Sequence, residues 1–98
     1  MTNITVKLSF ADAGDGQAAV SIVGPDGFKT NYIIDDDHPE NNPKHFQLPD
    51  GLYNIKVTGN SGAAATLSVT DDDAGSVLLN DNGGPGAFTI DDAFAVGN

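Results

Sequence analysis

Two groups of oxygen-bearing side chains lie close together near the C-terminal end of the sequence, separated only by a short apolar segment. They are Asp71, Asp72 and Asp73, and Asn80, Asp81 and Asn82. Carboxylates this close repel one another, and calcium takes six to eight oxygen ligands from carboxylates, amides and carbonyls in loops. The six residues are therefore predicted to lie on two loops that meet at one end of the fold and bind Ca²⁺. The alternative is that they are solvated turn residues, for which Asp, Asn and Gly are common choices.

A second polar segment runs from 35 to 43 and has the sequence DDDHPENNP. It offers Asp36, Asp37, His38 and Asn42 as ligand-binding residues, with His38 as a sugar or metal contact. The alternative is a solvated loop histidine whose pKa is raised by its acidic neighbours.

Composition excludes several functions. The 98 residues carry 14 acidic side chains against four lysines, for a net charge of −10. Nucleic-acid binding needs a basic surface, and anionic membranes repel a chain of this charge. No apolar stretch reaches the ~18 residues of a membrane span, so neither nucleic-acid binding nor membrane insertion is expected.

The sequence contains no recognisable catalytic motif. Cysteine is absent, the two histidines lie in no metal or triad spacing, and no serine occupies a Gly-x-Ser-x-Gly turn. Carboxylate pairs are present, but a chain this short rarely builds the deep cleft that glycoside hydrolysis requires. The chain is therefore predicted not to be an enzyme and to have no catalytic residues.

Period-two alternation predicts β-strands throughout. In NITVKLSF, the residues Ile4, Val6, Leu8 and Phe10 share one face, which is expected to pack against Tyr53, Ile55 and Val57. Residues 17–34 read as a hairpin around GPDG, and AAATLSVT places Ala65, Leu67 and Val69 inward. SVLL, AFTI and AFAV are expected to be three short final strands.

No window has helical periodicity, and glycine or proline interrupts the chain about every 8–12 residues. The prediction is an all-β protein, a single small β-sandwich domain over 1–98, Ig-like or jelly-roll-like, with seven to nine short strands.

The stretch LPDGLYNIKV, residues 48–57, resembles a turn-and-strand motif of bacterial Ig-like and prealbumin-like domains. In such domains a tyrosine entering a late strand hydrogen-bonds back to the preceding turn. The resemblance assigns that place to Tyr53, with Gly51 permitting the turn.

The acidic C-terminal region resembles that of small calcium-dependent bacterial lectins of the galactophilic type. Asp72 and Asp73 match the first acidic pair of such lectins, the stretch 81–83 their second, and 87–90 the strand that follows. The segment FTIDDAFAV is also similar to the ending of carbohydrate-binding jelly rolls. The resemblance implies a β-sandwich in which calcium bridges the protein and sugar hydroxyls.

The sequence favours two functions over the others. The first is a non-catalytic binding module with calcium-assisted glycan recognition, whose partner is a carbohydrate. The second is a structural or adhesive subunit of an extracellular filament, fibre or coat, whose partners are copies of itself in a homo-oligomer joined through strand edges. Residues 1–20 show no signal-peptide pattern. The expected location is secreted or cell-surface without a visible signal peptide, with a cytoplasmic location as the alternative.

Overall fold

A computed structural model describes residues 1–11 and 16–97. Within them the chain forms eight strands, two single-turn 3-10 helices and no α-helix, which confirms the predicted small all-β sandwich. The strands are β1 (Thr2–Phe10), β2 (Gly16–Val23), β3 (Lys29–Ile34), β4 (Lys44–Leu48), β5 (Gly51–Ser61), β6 (Ala65–Asp71), β7 (Ser76–Gly83) and β8 (Gly86–Val96). No helix in the described part is long and apolar enough to cross a membrane.

Two four-stranded antiparallel sheets pack face to face. One has the strand order β4-β1-β6-β7 and the other the order β3-β2-β5-β8. The predicted hairpin is confirmed: β2 pairs with β3 from Ala18 opposite Ile34 to Val23 opposite Lys29. Its reversal at Pro25–Gly27 places Asp26 and Gly27 at positive φ, which short polar residues and glycine tolerate.

The core lies between the inner faces of the two sheets. Ile4, Val6 and Leu8 of β1 are buried, while Phe10 at the strand end is half-buried against the core. On the opposite sheet, the three predicted core residues of β5 are completely buried. The buried residues of β5 and β6 named by the sequence pattern are Tyr53, Ile55, Val57, Ala65, Leu67 and Val69.

Tyr53 ties the start of β5 to the turn before it. Its hydroxyl donates a hydrogen bond to the Pro49 carbonyl oxygen at 2.7 Å, which is the contact that the sequence motif predicted. Its ring stacks on Phe94 with centroids 5.5 Å apart and meets Phe28 edge-on. A Cβ atom at Gly24 would clash with the Tyr53 ring. The backbone of the β2–β3 turn can therefore approach this ring closely only because residue 24 is glycine.

The C-terminal strands differ from the prediction. SVLL was expected to end at Leu79, whereas β7 continues to Gly83 and includes the whole second acidic and amide group. AFTI and AFAV form one continuous strand, β8, paired with β5 along its length. The difference arises because backbone pairing, rather than side-chain polarity, decides where a solvated edge strand ends.

Aromatic packing closes the side of the sandwich where β3 and β4 are the edge strands. The Tyr32 and Phe46 rings lie 6.2 Å apart between the two sheets, and the Lys44 ammonium lies 5.5 Å from the Tyr32 ring centroid. The Tyr32 hydroxyl is buried without a hydrogen-bond partner among the described residues, and burial raises its pKa. This side is therefore sealed by contacts across the sheets.

The β3 and β4 edges are poorly suited to backbone pairing with a further strand. β4 has five residues and lies between Pro43 and Pro49. On β3, the Asn41 side-chain amide donates a hydrogen bond of 2.7 Å to the Ile33 carbonyl oxygen. Short strands, flanking prolines and capped carbonyls all limit edge-to-edge pairing.

Leu8→Ala is expected to lower the free energy of unfolding by about 2–4 kcal/mol, because it leaves a cavity in a core where Leu8 is 1% exposed. The matched control is Leu52→Ala, which removes the same atoms from a side chain 61% exposed and should change stability by less than about 0.5 kcal/mol. Urea unfolding of both variants measures the difference. Equal losses would contradict the assigned inner face.

Candidate ligand-binding cleft and acidic clusters

The two groups of the predicted calcium site lie at different heights on the β6–β7 hairpin. Asp71 pairs with Ser76 beside the turn, whereas Asn82 pairs with Thr66, five positions away along β6. Five strand positions span about 16 Å, far beyond what one ion can bridge. The prediction that Asn80, Asp81 and Asn82 form a loop that meets the triplet is therefore wrong, because these residues belong to β7.

The six residues consequently do not fit Ca²⁺ as a single site. Across residues 1–11 and 16–97, no group of three or more histidine, aspartate or glutamate side chains is arranged to hold a metal ion. Calcium binding by this chain stays a prediction.

Local hydrogen bonds account for the ends of the aspartate triplet. The Asp71 carboxylate accepts the backbone N–H groups of Asp73 and Ala74 at 3.0 Å and so shapes the β6–β7 turn. The Asp73 carboxylate accepts both the backbone N–H and the side-chain amide of Asn3, at 3.0 and 2.9 Å. The two bonds from Asn3 lower the pKa of Asp73 below its usual range.

The middle aspartate belongs to a chain of polar contacts across the outer face of this sheet. The Thr5 hydroxyl donates to Asp72 at 2.5 Å and lies 3.0 Å from Nδ1 of His45. Since the hydroxyl proton goes to Asp72, the histidine Nδ1 is the donor in the second contact. The three side chains thus join β4, β1 and the β6–β7 turn.

The second group is also engaged locally. The Asp81 carboxylate accepts the backbone N–H of Asn82 at 2.9 Å, and the Asn82 side-chain oxygen accepts the Thr66 hydroxyl at 3.0 Å. Asn80 is exposed on the outer face of β7.

A polar cleft lies at the end of the sandwich opposite the β6–β7 turn. It has a volume of about 400 Å³ and forms where β2 begins, β3 ends and β5 ends. Its lining consists of three aspartates, two amide side chains, a serine and two glycines: Asp35, Asp36, Asp37, Gln17, Asn60, Ser61, Gly16 and Gly62. Two of the sequence-predicted ligand residues, Asp36 and Asp37, thus line a cavity.

A smaller cavity of about 260 Å³ adjoins the cleft and shares Gly16, Asp35 and Asp36 with it. Its lining adds His38 and Asn42, the remaining predicted ligand residues, and the half-buried ring of Phe10. All four predicted ligand residues therefore lie around one end of the fold.

Asp35 organises the loop that forms the cleft. Its carboxylate lies 2.6 Å from Nδ1 of His38 and accepts the backbone N–H of Asp37 at 3.0 Å. The bond and charge of Asp35 raise the pKa of His38, and the bond from His38 lowers the pKa of Asp35. The pKa of the loop histidine is thus raised by an acidic neighbour, and Asp35 is the main cause.

Asn42 has a structural partner. Its side-chain amide donates to the Leu8 carbonyl oxygen at 2.6 Å and accepts the Leu8 N–H at 3.0 Å. These two bonds continue the contact of the β4 side with β1 by two residues beyond the pair of Val6 and Lys44. Asn42 therefore helps to shape the cavity wall, and its role as a ligand residue stays a prediction.

Sequence reasoning missed the cleft residues outside the acidic loop. Gln17 and Asn60 are ordinary polar positions on alternating strands, and nothing in their local pattern marks them. They become neighbours because β2 pairs with β5 with Gln17 opposite Asn60. The signal that would have found them is strand pairing, which local sequence does not provide.

No family model matches the sequence, and comparison with curated proteins and with solved structures finds no match. The function is therefore inferred from the geometry of this chain.

Asp73→Asn is expected to lower the melting temperature by a few degrees in calcium-free buffer, because the amide is a weaker acceptor for the Asn3 donors. A lowered pKa gives stability that is present above about pH 3.9 and is lost as the pH falls through the folded-state value. The difference from wild type should therefore shrink as the pH falls below about 3.9. Thermal melting of wild type and Asp73→Asn across a range of pH measures this difference, and Asp36→Asn, at an exposed position, is the control. If Asp73→Asn is neutral or stabilising, the aspartates of the triplet are merely solvated.

Asp35→Asn is expected to lower the pKa of His38 towards about 6.5, because it removes the main cause of the upward shift. The contribution of His38 to stability is complete below about pH 6.5 and that of Asp35 is complete above about pH 3.9, so the pair stabilises most between these values. NMR titration of the His38 ring protons gives the pKa directly. The His45 signals in the same spectra are the internal control, and an unchanged His38 titration would exclude the assigned pairing.

Proposed function

We propose that this chain is a non-catalytic binding module that holds a glycan in the polar cleft beside Asp35, Asp36 and Asp37. The observation that supports the proposal is the composition of the lining, in which aspartates stand beside the exposed amide residues Gln17 and Asn60. Sugar hydroxyls both donate and accept hydrogen bonds. A lining with acceptors alone would suit a simple cation better than a sugar.

Free carboxylates in the cleft also favour this site over the triplet at 71–73. The hydrogen bonds of the loop go to Asp35, and the exposed carboxylates of Asp36 and Asp37 accept none from the described residues. Each carboxylate of the triplet, by contrast, already has protein donors. Unsatisfied acceptors at the mouth of a cavity are available to ligand hydroxyls at no cost to the fold.

Calcium assistance is part of the proposal. Two carboxylates supply too few oxygens for an ion that takes six to eight, so sugar hydroxyls, carbonyls and water would have to complete the shell. Binding of ion and sugar would then be mutually dependent, as linkage requires of two ligands that share a site.

The proposal is tested by recording amide NMR spectra while galactose, mannose or N-acetylglucosamine is added, in millimolar calcium and again with a chelator. The expected result is a saturable shift of the Gln17, Asn60 and Gly62 amides that is larger with calcium. The double variant Asp36→Asn/Asp37→Asn should abolish it.

A matched control removes the same charge elsewhere. Asp26 and Asp50 are exposed near Gly51, at the opposite end of β5, so Asp26→Asn/Asp50→Asn should leave the shifts unchanged. Absence of cleft shifts with every sugar would overturn the proposal. Shifts with spermidine but with no sugar would assign the cleft to cationic ligands instead.

The second candidate is a structural subunit that assembles through strand edges. It is favoured by β8, an eleven-residue edge strand with no interruption in its pairing to β5. Sedimentation velocity separates the candidates, because a binding module needs no assembly whereas a filament subunit must associate with copies of itself.

A further inference from the structure

The free edge of β8 has the features that attract another strand. β8 is the outer strand of its sheet and pairs with β5 from Gly86 to Val96 without a bulge. The outer-face residues along it are mostly small, and Leu52, opposite Ala95, is 61% exposed. Long, flat edges with small side chains are the usual sites of strand addition.

One residue breaks this pattern. Ile90 and Phe94 on the inner face of β8 are buried, but Asp92, which lies between them in the same alternation, is exposed. Its carboxylate accepts the backbone N–H of Ala93 at 2.8 Å. The Ala93 N–H therefore points away from β5, towards the free edge of the sheet. The Asp92 carboxylate accepts this N–H and so engages one of the backbone donors that a further strand would need.

The neighbouring edge repeats the arrangement. On β7, the outer strand of the other sheet, Asp81 takes the inner-face position between Leu79 and Gly83. Its carboxylate accepts the N–H of the following residue, Asn82, at 2.9 Å. β7 is further interrupted by a bulge at Leu78, so β8 is the more regular of the two edges.

We propose that Asp92 closes the β8 edge to pairing with the β8 edge of a second copy of this chain. An arriving strand would have to displace the carboxylate from the Ala93 N–H and bury its charge, at a large desolvation cost. In an antiparallel pair of β8 strands both copies would meet this cost. Without Asp92, two β8 edges could pair along their whole length, because both strands have eleven residues and mostly small outer-face side chains.

This inference does not rest on the proposed glycan function. Asp92 pairs with Ile55 near the middle of β5, whereas Asn60 and Ser61 at the end of β5 line the cleft. Loss of sugar binding and gain of self-association are therefore separate outcomes.

The test is sedimentation velocity of wild type, Asp92→Ala and Asp91→Ala over a range of concentrations. Asp92→Ala is expected to dimerise at least tenfold more tightly than wild type. Asp91 is the matched control, because Asp91→Ala removes the same charge from the adjacent outer-face position and leaves the Asp92–Ala93 bond intact. Asp91→Ala should behave as wild type.

A second substitution shows which surface is used. Alternation directs the Ala95 N–H to the same free edge as that of Ala93, so Ala95→Pro removes an intermolecular donor without removing a bond to β5. Adding it to Asp92→Ala should restore the wild-type sedimentation coefficient. Asp92→Thr, with higher strand propensity, replaces Asp92→Ala if circular dichroism shows that the alanine variant does not fold.

Four results would overturn the inference. Asp92→Ala could sediment as wild type at every concentration, Asp91→Ala could associate equally, or Ala95→Pro could leave the association unchanged. A wild-type dimer that dissociates on Ala95→Pro would likewise show that Asp92 does not close the edge.

Discussion

Burial of alternate side chains between two sheets is the constraint on which the rest of this structure depends. In β1, Ile4, Val6 and Leu8 are buried while Thr5 and Lys7 lie on the outer face. A shift of the strand pairing by one residue would expose the apolar set and bury the polar one, so the burial pattern fixes the strand register. Among the described residues Ser61 is the one buried polar side chain, and the aspartates are left to turns, strand ends and edges.

That constraint explains what the sequence could predict. The central strands β1, β5 and β6 have one solvated and one buried face, and their alternation is visible directly. The hairpin at Pro25–Gly27 and the Tyr53 hydrogen bond were predictable because both depend on a few adjacent residues. The extents of the edge strands β7 and β8 were not, because an edge position tolerates polar side chains, so that the second half of β7 reads as a loop.

The candidate site was predictable only in its contiguous part. Asp36, Asp37 and His38 share a loop, so composition alone marks them. The cleft opposite them needs the pairing of β2 with β5, which is a long-range property. The same limit explains the calcium hypothesis at 71–73: charge repulsion was visible in the sequence, but the donors that relieve it, Asn3 and Thr5, lie about seventy residues earlier.

The direction of β5 has a practical consequence for how this domain is presented. Gly51, at one end of the strand, lies opposite Val96, while Asn60 and Ser61 at the other end line the cleft, about 33 Å away along the strand. β1 likewise runs from Thr2 to Phe10, which borders the cleft region. Anything attached through either end of the described chain, whether a tether, an affinity tag or a sensor surface, leaves the cleft pointing away from the attachment and open to large ligands.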